Sequence, residues 1–172
     1  MDTLFGLPAH VLLVHAVVVL GPLAALLGIA VAVRPRWAFY LRWPLLVLTV
    51  ISTGLAVLAA DAGEDLQRRL GGNALIEQHA EAGDLLKVVA IGYLVVTVLA
   101  FFAIAVRSPL ASGRGEFRTR LPAVAAPVAR VLLAAVAVWF IVQTVITGHT
   151  GSEAAWKDIV QSTSPGSGGD GD

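Results

Sequence analysis

The sequence predicts an all-α fold, an integral membrane up-down four-helix bundle with a disordered C-terminal tail. Three observations lead there. Of 172 residues, 57% are hydrophobic and only 14% are charged, well beyond what a soluble domain needs to fill its core. Four apolar stretches, Val11 to Val33, Pro44 to Ala60, Leu85 to Val106 and Ala123 to Thr147, are each of the length a bilayer requires, about 20 residues of helix. The basic residues gather in alternate connections, as they do in multi-span chains.

The elements follow in order. The N-terminal MDTLFGLP carries an aspartate and no basic residue, and the apolar run after it outlasts the core of a signal peptide, so the first span reads as retained. Pro22 should bend that span and free the carbonyl of Val18. VRPRWAFYLRW links it to the second span, where Gly54, Ala56, Ala59 and Ala60 suit close helix contact and Asp61 closes the helix. The third helix starts at an Asn73 N-cap. From that start, Glu77, Glu81 and Asp84 form one acidic stripe, while His79 shares the opposite face with Leu75, Ile76, Gly83, Leu86 and Ala90 and points into the bundle. Lys87, one turn beyond Asp84, can pair with it while snorkelling outward. RSPLASGRGEFRTRLP leads to the fourth span, in which Arg130 snorkels and Gln143 makes an interhelical hydrogen bond. In GHTGSEAAW two glycines around His149 should end the helix, with a short interfacial helix carrying Trp156 beyond. The bundle is assigned to residues 1–160 and a polar tail to 161–172, where the Gly/Ser/Asp-rich QSTSPGSGGDGD has nothing to bury and should be disordered from about Ser162.

Orientation follows from where lysine and arginine are retained. Eight of the twelve basic residues, Arg34, Arg36, Arg42, Arg107, Arg114, Arg118, Arg120 and Arg130, fall on one side, and eleven of the twelve acids, all but Glu116, fall on the other. This places both termini outside the cytoplasmic membrane of a bacterium, with Trp37, Trp43 and Trp156 at the interfaces. Formal charge is zero, so a nucleic-acid partner gains no support. The chain has no cysteine, which excludes disulfides, thiolate metal sites and covalently attached c-type haem; any metal would take nitrogen or oxygen ligands.

All four histidines, His10, His15, His79 and His149, fall on the extracytoplasmic side in this topology. Imidazoles from different helices can converge on one ion or haem iron: neutral imidazole suits Zn, Cu and Fe, and haem sites in bundles are built from facing helices. His10 and His15 lie about 140° apart on a regular helix and cannot easily share one ligand. The candidate ligand set is therefore His15, His79 and His149, with His10 as an alternate. Asp61, Glu81, Asp84 and Glu153 are candidates for orienting the imidazole N–H groups. No histidine pair has a diagnostic metal spacing.

Taken together, H-x4-H (His10, His15), TG-x-A-x4-D (Thr53, Gly54, Ala56, Asp61), H-A-E-x-G-D (His79, Ala80, Glu81, Gly83, Asp84) and G-H-T-G (Gly148 to Gly151) resemble the bacterial four-span membrane family catalogued as domain of unknown function 2231, over about Pro8 to Trp156. The chain departs from that pattern in having Val11 after the first histidine, and Ala16 and Val17 after the second, where the family often has proline and phenylalanine-proline. The resemblance implies the fold and the marked positions and supplies no activity. From the residues, the leading expectation is a b-type haem or transition-metal site serving electron transfer or metal handling. The alternative is a structural or assembly subunit of a membrane redox or transport complex. A permease using Asp61 and Asp84 is weaker, since no charge lies at midspan. An independent enzyme is least supported, because no nucleophile-base pair or phosphate loop is evident.

Overall fold

The computed structural model describes residues 3–4, 7–71 and 73–163. Four long helices make up the fold: α1 (Ala9–Val33), α2 (Ala38–Leu70), α3 (Ala74–Ala103) and α4 (Ala125–Ser162). A 3-10 turn at Pro35–Trp37 joins α1 to α2. Ahead of α1, Thr3–Leu4 and Leu7–Pro8 pair antiparallel in a minimal hairpin, too short to alter the all-α class. All four helices are long and apolar enough to cross a membrane. α1 and α3 each pack against both α2 and α4, so the helices close into an up-down ring.

Two helices run further than the sequence suggests. Asp61 does not close α2, which continues to Leu70, and the glycines around His149 do not end α4, which continues to Ser162. Glycine inside a helix costs only about 1 kcal/mol, an amount that packing absorbs. At 1.5 Å per residue α2 is about 50 Å long and α4 about 57 Å, against about 30 Å of hydrocarbon. Both therefore project beyond the bilayer at the end that carries the histidines. There α2 becomes a solvated helix in which Arg68 pairs with Asp65, and it stops where Gly71 adopts φ 76° and ψ 154°, a conformation nearly confined to glycine. Asn73 caps α3 as its sequence implies, its side chain accepting from the backbone N–H groups of Leu75 and Ile76 at 3.0 and 2.9 Å. The tail from residue 164 onward lies outside the described residues.

Burial centres on Tyr93, Phe140 and Leu133, all fully enclosed. Close approach is provided by α1 rather than by Gly54, which has nothing within 4 Å of where a Cβ would stand. A Cβ on Gly28 would lie 2.3 Å from the Tyr93 hydroxyl oxygen, and one on Gly21 would lie 3.1 Å from the Phe140 ring. The Tyr93 hydroxyl donates to the Ala24 carbonyl at 2.8 Å. Further donors cross between helices: Thr53 to the Ala90 carbonyl at 3.1 Å, and Gln143 and Thr147 to the Ala82 carbonyl at 3.1 and 3.0 Å. Arg130, expected to snorkel, instead donates from Nε to the Ala32 carbonyl at 2.7 Å. Within a bilayer such bonds have no competing water, and small residues let backbones approach. The outer surface is lined by exposed apolar side chains, among them Val19, Leu26, Val88, Leu99, Val131 and Val145, which contact lipid.

The connection from α3 to α4 is folded. Val106 and Phe117 exchange backbone hydrogen bonds of 2.9 Å, and the loop between them turns through Gly113 and Gly115 at φ 66° and 83°. It closes the arginine end of the bundle over α2.

Replacing Gly28 by alanine should destabilise the bundle by about 1–3 kcal/mol through overpacking, and Tyr93→Phe by roughly 0.6–1.7 kcal/mol. The double variant should cost less than the sum, because removing the hydroxyl vacates the space the new methyl needs. Reversible unfolding in mixed detergent micelles measures all three.

Candidate functional site

The histidine end combines the starts of α1 and α3 with the projecting parts of α2 and α4. His10, one residue inside α1, is half-buried and reaches across to α2, where its Nδ1 lies 2.8 Å from the Ala59 carbonyl oxygen. That oxygen can only accept, so Nδ1 carries the proton and the neutral ring keeps its lone pair on Nε2. His79, in the second turn of α3, is also half-buried, and its Nδ1 lies 3.2 Å from the Thr150 hydroxyl on α4. Thr150 in turn donates its own proton to the Thr147 carbonyl at 3.1 Å. The hydroxyl oxygen therefore accepts from His79 Nδ1–H, and again the lone pair remains on Nε2.

The two imidazoles meet. Their ring centroids are 5.9 Å apart with the planes at 78°. Each ring also lies on a glycine of the helix it reaches. A Cβ on Gly63 of α2 would stand 3.0 Å from Cε1 and Nδ1 of His10, and one on Gly151 of α4 would stand 2.8 Å from Cε1 of His79. Gly148, the other glycine of the GHTG segment, faces open space. The pair thus draws on all four helices: two supply the rings, and two supply a hydrogen-bond partner and a bare stretch of backbone.

The other expected ligands lie elsewhere. His15 is exposed, with Nδ1 turned back onto the Val11 carbonyl of its own helix at 2.6 Å, as the helical angle between it and His10 implies. His149 is exposed, and its Nε2 is 3.9 Å from Glu153, beyond hydrogen-bonding range. The set His15, His79 and His149 is therefore not assembled, and His10, the alternate, is the residue that meets His79. None of the four candidate carboxylates contacts either ring among the described residues. Asp61 and Glu81 face solvent, Asp84 pairs with Lys87 at 2.9 Å, and Glu153 lies beside His149 on the outer face of α4. The roles expected of carboxylates are taken by the Ala59 carbonyl and the Thr150 hydroxyl. Among the described residues, no third histidine or carboxylate joins the pair.

Thr150, Gly63 and Gly151 are the site residues that sequence reasoning missed. Gly151 closes the GHTG motif and Gly63 follows Asp61 in AADAGED, so both lie in segments whose more conspicuous residues are His149 and Asp61. A helical glycine with no turn to make is the signal that could have identified them.

A family model described as "Predicted membrane protein (DUF2231)" matches residues 6–164. No curated protein and no solved structure matches the chain.

Gly151→Ala should displace the His79 ring, shifting its imidazole NMR resonances and weakening the α3–α4 pairing by about 1–3 kcal/mol. Gly148→Ala three positions earlier should leave those resonances in place and gain up to about 1 kcal/mol from helix propensity.

Proposed function

Since the chain belongs to the DUF2231 family of predicted membrane proteins, a family whose description names no activity, we propose a function from the geometry: His10 and His79 form a transition-metal site at the extracytoplasmic end of a four-span protein of the bacterial cytoplasmic membrane. The observation that carries this reading is the oxygen that each Nδ1 meets on a neighbouring helix, from which the tautomer of both rings follows. Each Nδ1–H is spent on an oxygen of a neighbouring helix, which is how metal-binding histidines are oriented, and each Nε2 lone pair is left for an ion. With metal–nitrogen bonds of about 2.0–2.1 Å, two imidazoles sharing one ion place their centroids about 5–6 Å apart, a range that includes the 5.9 Å found here. The separation is also ordinary for rings packed edge to face, so the argument rests on the lone pairs.

Copper or zinc suits two imidazole ligands with the remaining positions open to water or to a delivered ligand. A bare ion asks less rearrangement of this site than haem, since each ring lies on glycine backbone and the rings pack against each other where a macrocycle would pass. Metal handling, meaning capture or transfer at the membrane surface, follows more directly than electron transfer. The hydrogen bonds themselves favour the second reading, a structural or assembly subunit in which the histidines clamp α1 to α2 and α3 to α4.

Detergent-purified protein should bind one equivalent of Cu or Zn by calorimetry and elemental analysis. His10→Ala and His79→Ala should each abolish this, while His15→Ala and His149→Ala retain it. Absence of stoichiometric metal, together with loss of stability in His10→Ala, would leave the clamp reading alone. A Soret band in the purified protein would restore haem. Orientation is tested in the naturally cysteine-free chain: an impermeant maleimide applied to intact cells should label Gln161→Cys and leave Ser112→Cys unlabelled until lysis.

A further inference from the structure

The opposite end of the bundle holds a second polar arrangement, independent of the histidine pair. Arg42 of α2 is enclosed by aromatic rings: its guanidinium carbon lies 3.9 Å from the centroid of Phe101, 4.6 Å from that of Phe117 and 5.9 Å from that of Trp43. The folded α3–α4 connection puts Phe117 there. Ring faces satisfy the positive charge of a guanidinium but not the N–H donors in its plane, and the Nε of Arg42 is buried with no hydrogen-bond partner. The hydroxyl of Thr97 on α3 is likewise buried without a well-aligned partner, its polar neighbour being the Tyr93 hydroxyl, whose own proton goes to Ala24. Thr97 is only 1% exposed. Both residues line one cavity of about 20 Å³, whose remaining wall includes Val31, Leu45, Ala100 and Leu133.

A buried donor without an acceptor is costly and rare in native proteins. Two of them on residues that line one space indicate what fills it. The space admits about one oxygen-sized group. No carboxylate among the described residues pairs with Arg42, and Glu116, the one acid at this end, is 2.9 Å from Arg118. An oxygen carrying negative charge would satisfy the Arg42 Nε with a charge-assisted bond and take the Thr97 hydroxyl proton as well. The neighbouring Arg34, Arg36, Arg107, Arg114 and Arg120 supply a positive field, and juxtamembrane arginines of this kind attract anionic headgroups.

We propose that this cavity is a binding site for a phosphate oxyanion, with one phosphate oxygen inserted between Arg42 Nε and Thr97 Oγ1 while the rest of the group faces the arginine-rich end. A phospholipid headgroup or a free phosphate could present that oxygen. The apolar lining suits the lipid, whose chains would run along the bundle wall.

Trp43 reports on the site once Trp37, Trp139 and Trp156 are replaced by phenylalanine. The protein in neutral detergent is titrated with short-chain phosphatidylglycerol, with the phosphate-free diacylglycerol of the same chain length and with inorganic phosphate, and co-purifying lipid is read by native mass spectrometry. Saturable binding of phosphatidylglycerol is expected. Arg42→Gln should weaken it by about 10–100-fold and Thr97→Val by about 2–10-fold; Arg68→Gln, an equal charge change at the opposite end, should leave it within about twofold. Without ligand, Thr97→Val should raise thermal stability, since it removes an unpaired buried hydroxyl, and this keeps the proposal testable if Arg42→Gln fails to fold. Binding of inorganic phosphate with the same variant dependence would identify a soluble source. Equal response to phosphatidylglycerol and diacylglycerol with none to phosphate, or equal losses in Arg68→Gln and Arg42→Gln, would overturn the site and leave a cavity that holds water.

Discussion

The bundle depends on side chains of one helix donating to backbone carbonyls of the next, and five alanines supply the acceptors of its closest such bonds. Tyr93 reaches Ala24, Arg130 reaches Ala32, His10 reaches Ala59, Thr53 reaches Ala90, and Gln143 and Thr147 share Ala82. The reason is steric. A helical carbonyl has a second lone pair beyond the one used within its helix, and a small side chain on the residue that carries it lets the neighbouring helix come close enough to reach it. In lipid, where apolar contact between helices gains little over contact with acyl chains, packing and such bonds drive association. Alanine thus serves two purposes here, allowing close backbones and bringing acceptors within reach.

The same device extends from the apolar middle to both polar ends. At one end it fixes the tautomer of His10, so that an interaction holding α1 to α2 also sets the chemistry that the ring presents. At the other, Arg130 is spent on a carbonyl while Arg42 is not, which separates an arginine that fastens helices from one whose in-plane donors remain open. The two ends differ in character accordingly: a half-buried imidazole pair among projecting helices, and a guanidinium boxed by aromatic rings beneath a folded connection.

The fold was legible because bilayer thickness imposes a length on apolar runs that composition alone reveals, and because Asn73 and the stripe of Glu77, Glu81 and Asp84 fix the phase of α3. The inward direction of His79 followed from that phase. Helix ends at the histidine side were not legible. Gly148 and Asp61 look like terminators, yet a helix leaving the membrane against a neighbour continues through residues that would stop it alone. The partner of His79 was hidden for a related reason. Once α4 runs on, Thr150 rather than His149 occupies the inward position, and a shift of one residue on a helix turns a side chain by about 100°. Gly63 and Gly151 could not be read as ring platforms without knowing which ring lies on them.

The shared acceptor at Ala82 restricts what the molecule can do mechanically. Two donors one turn apart on α4 bolt onto a single oxygen of α3, three residues past His79, so neither helix can slide or rotate by a turn against the other without losing both at once. His79 therefore rides on a stationary half of the bundle. A change in the gap between the two rings would have to come from the first turns of α1, which lie beyond the Tyr93–Ala24 and Arg130–Ala32 bonds.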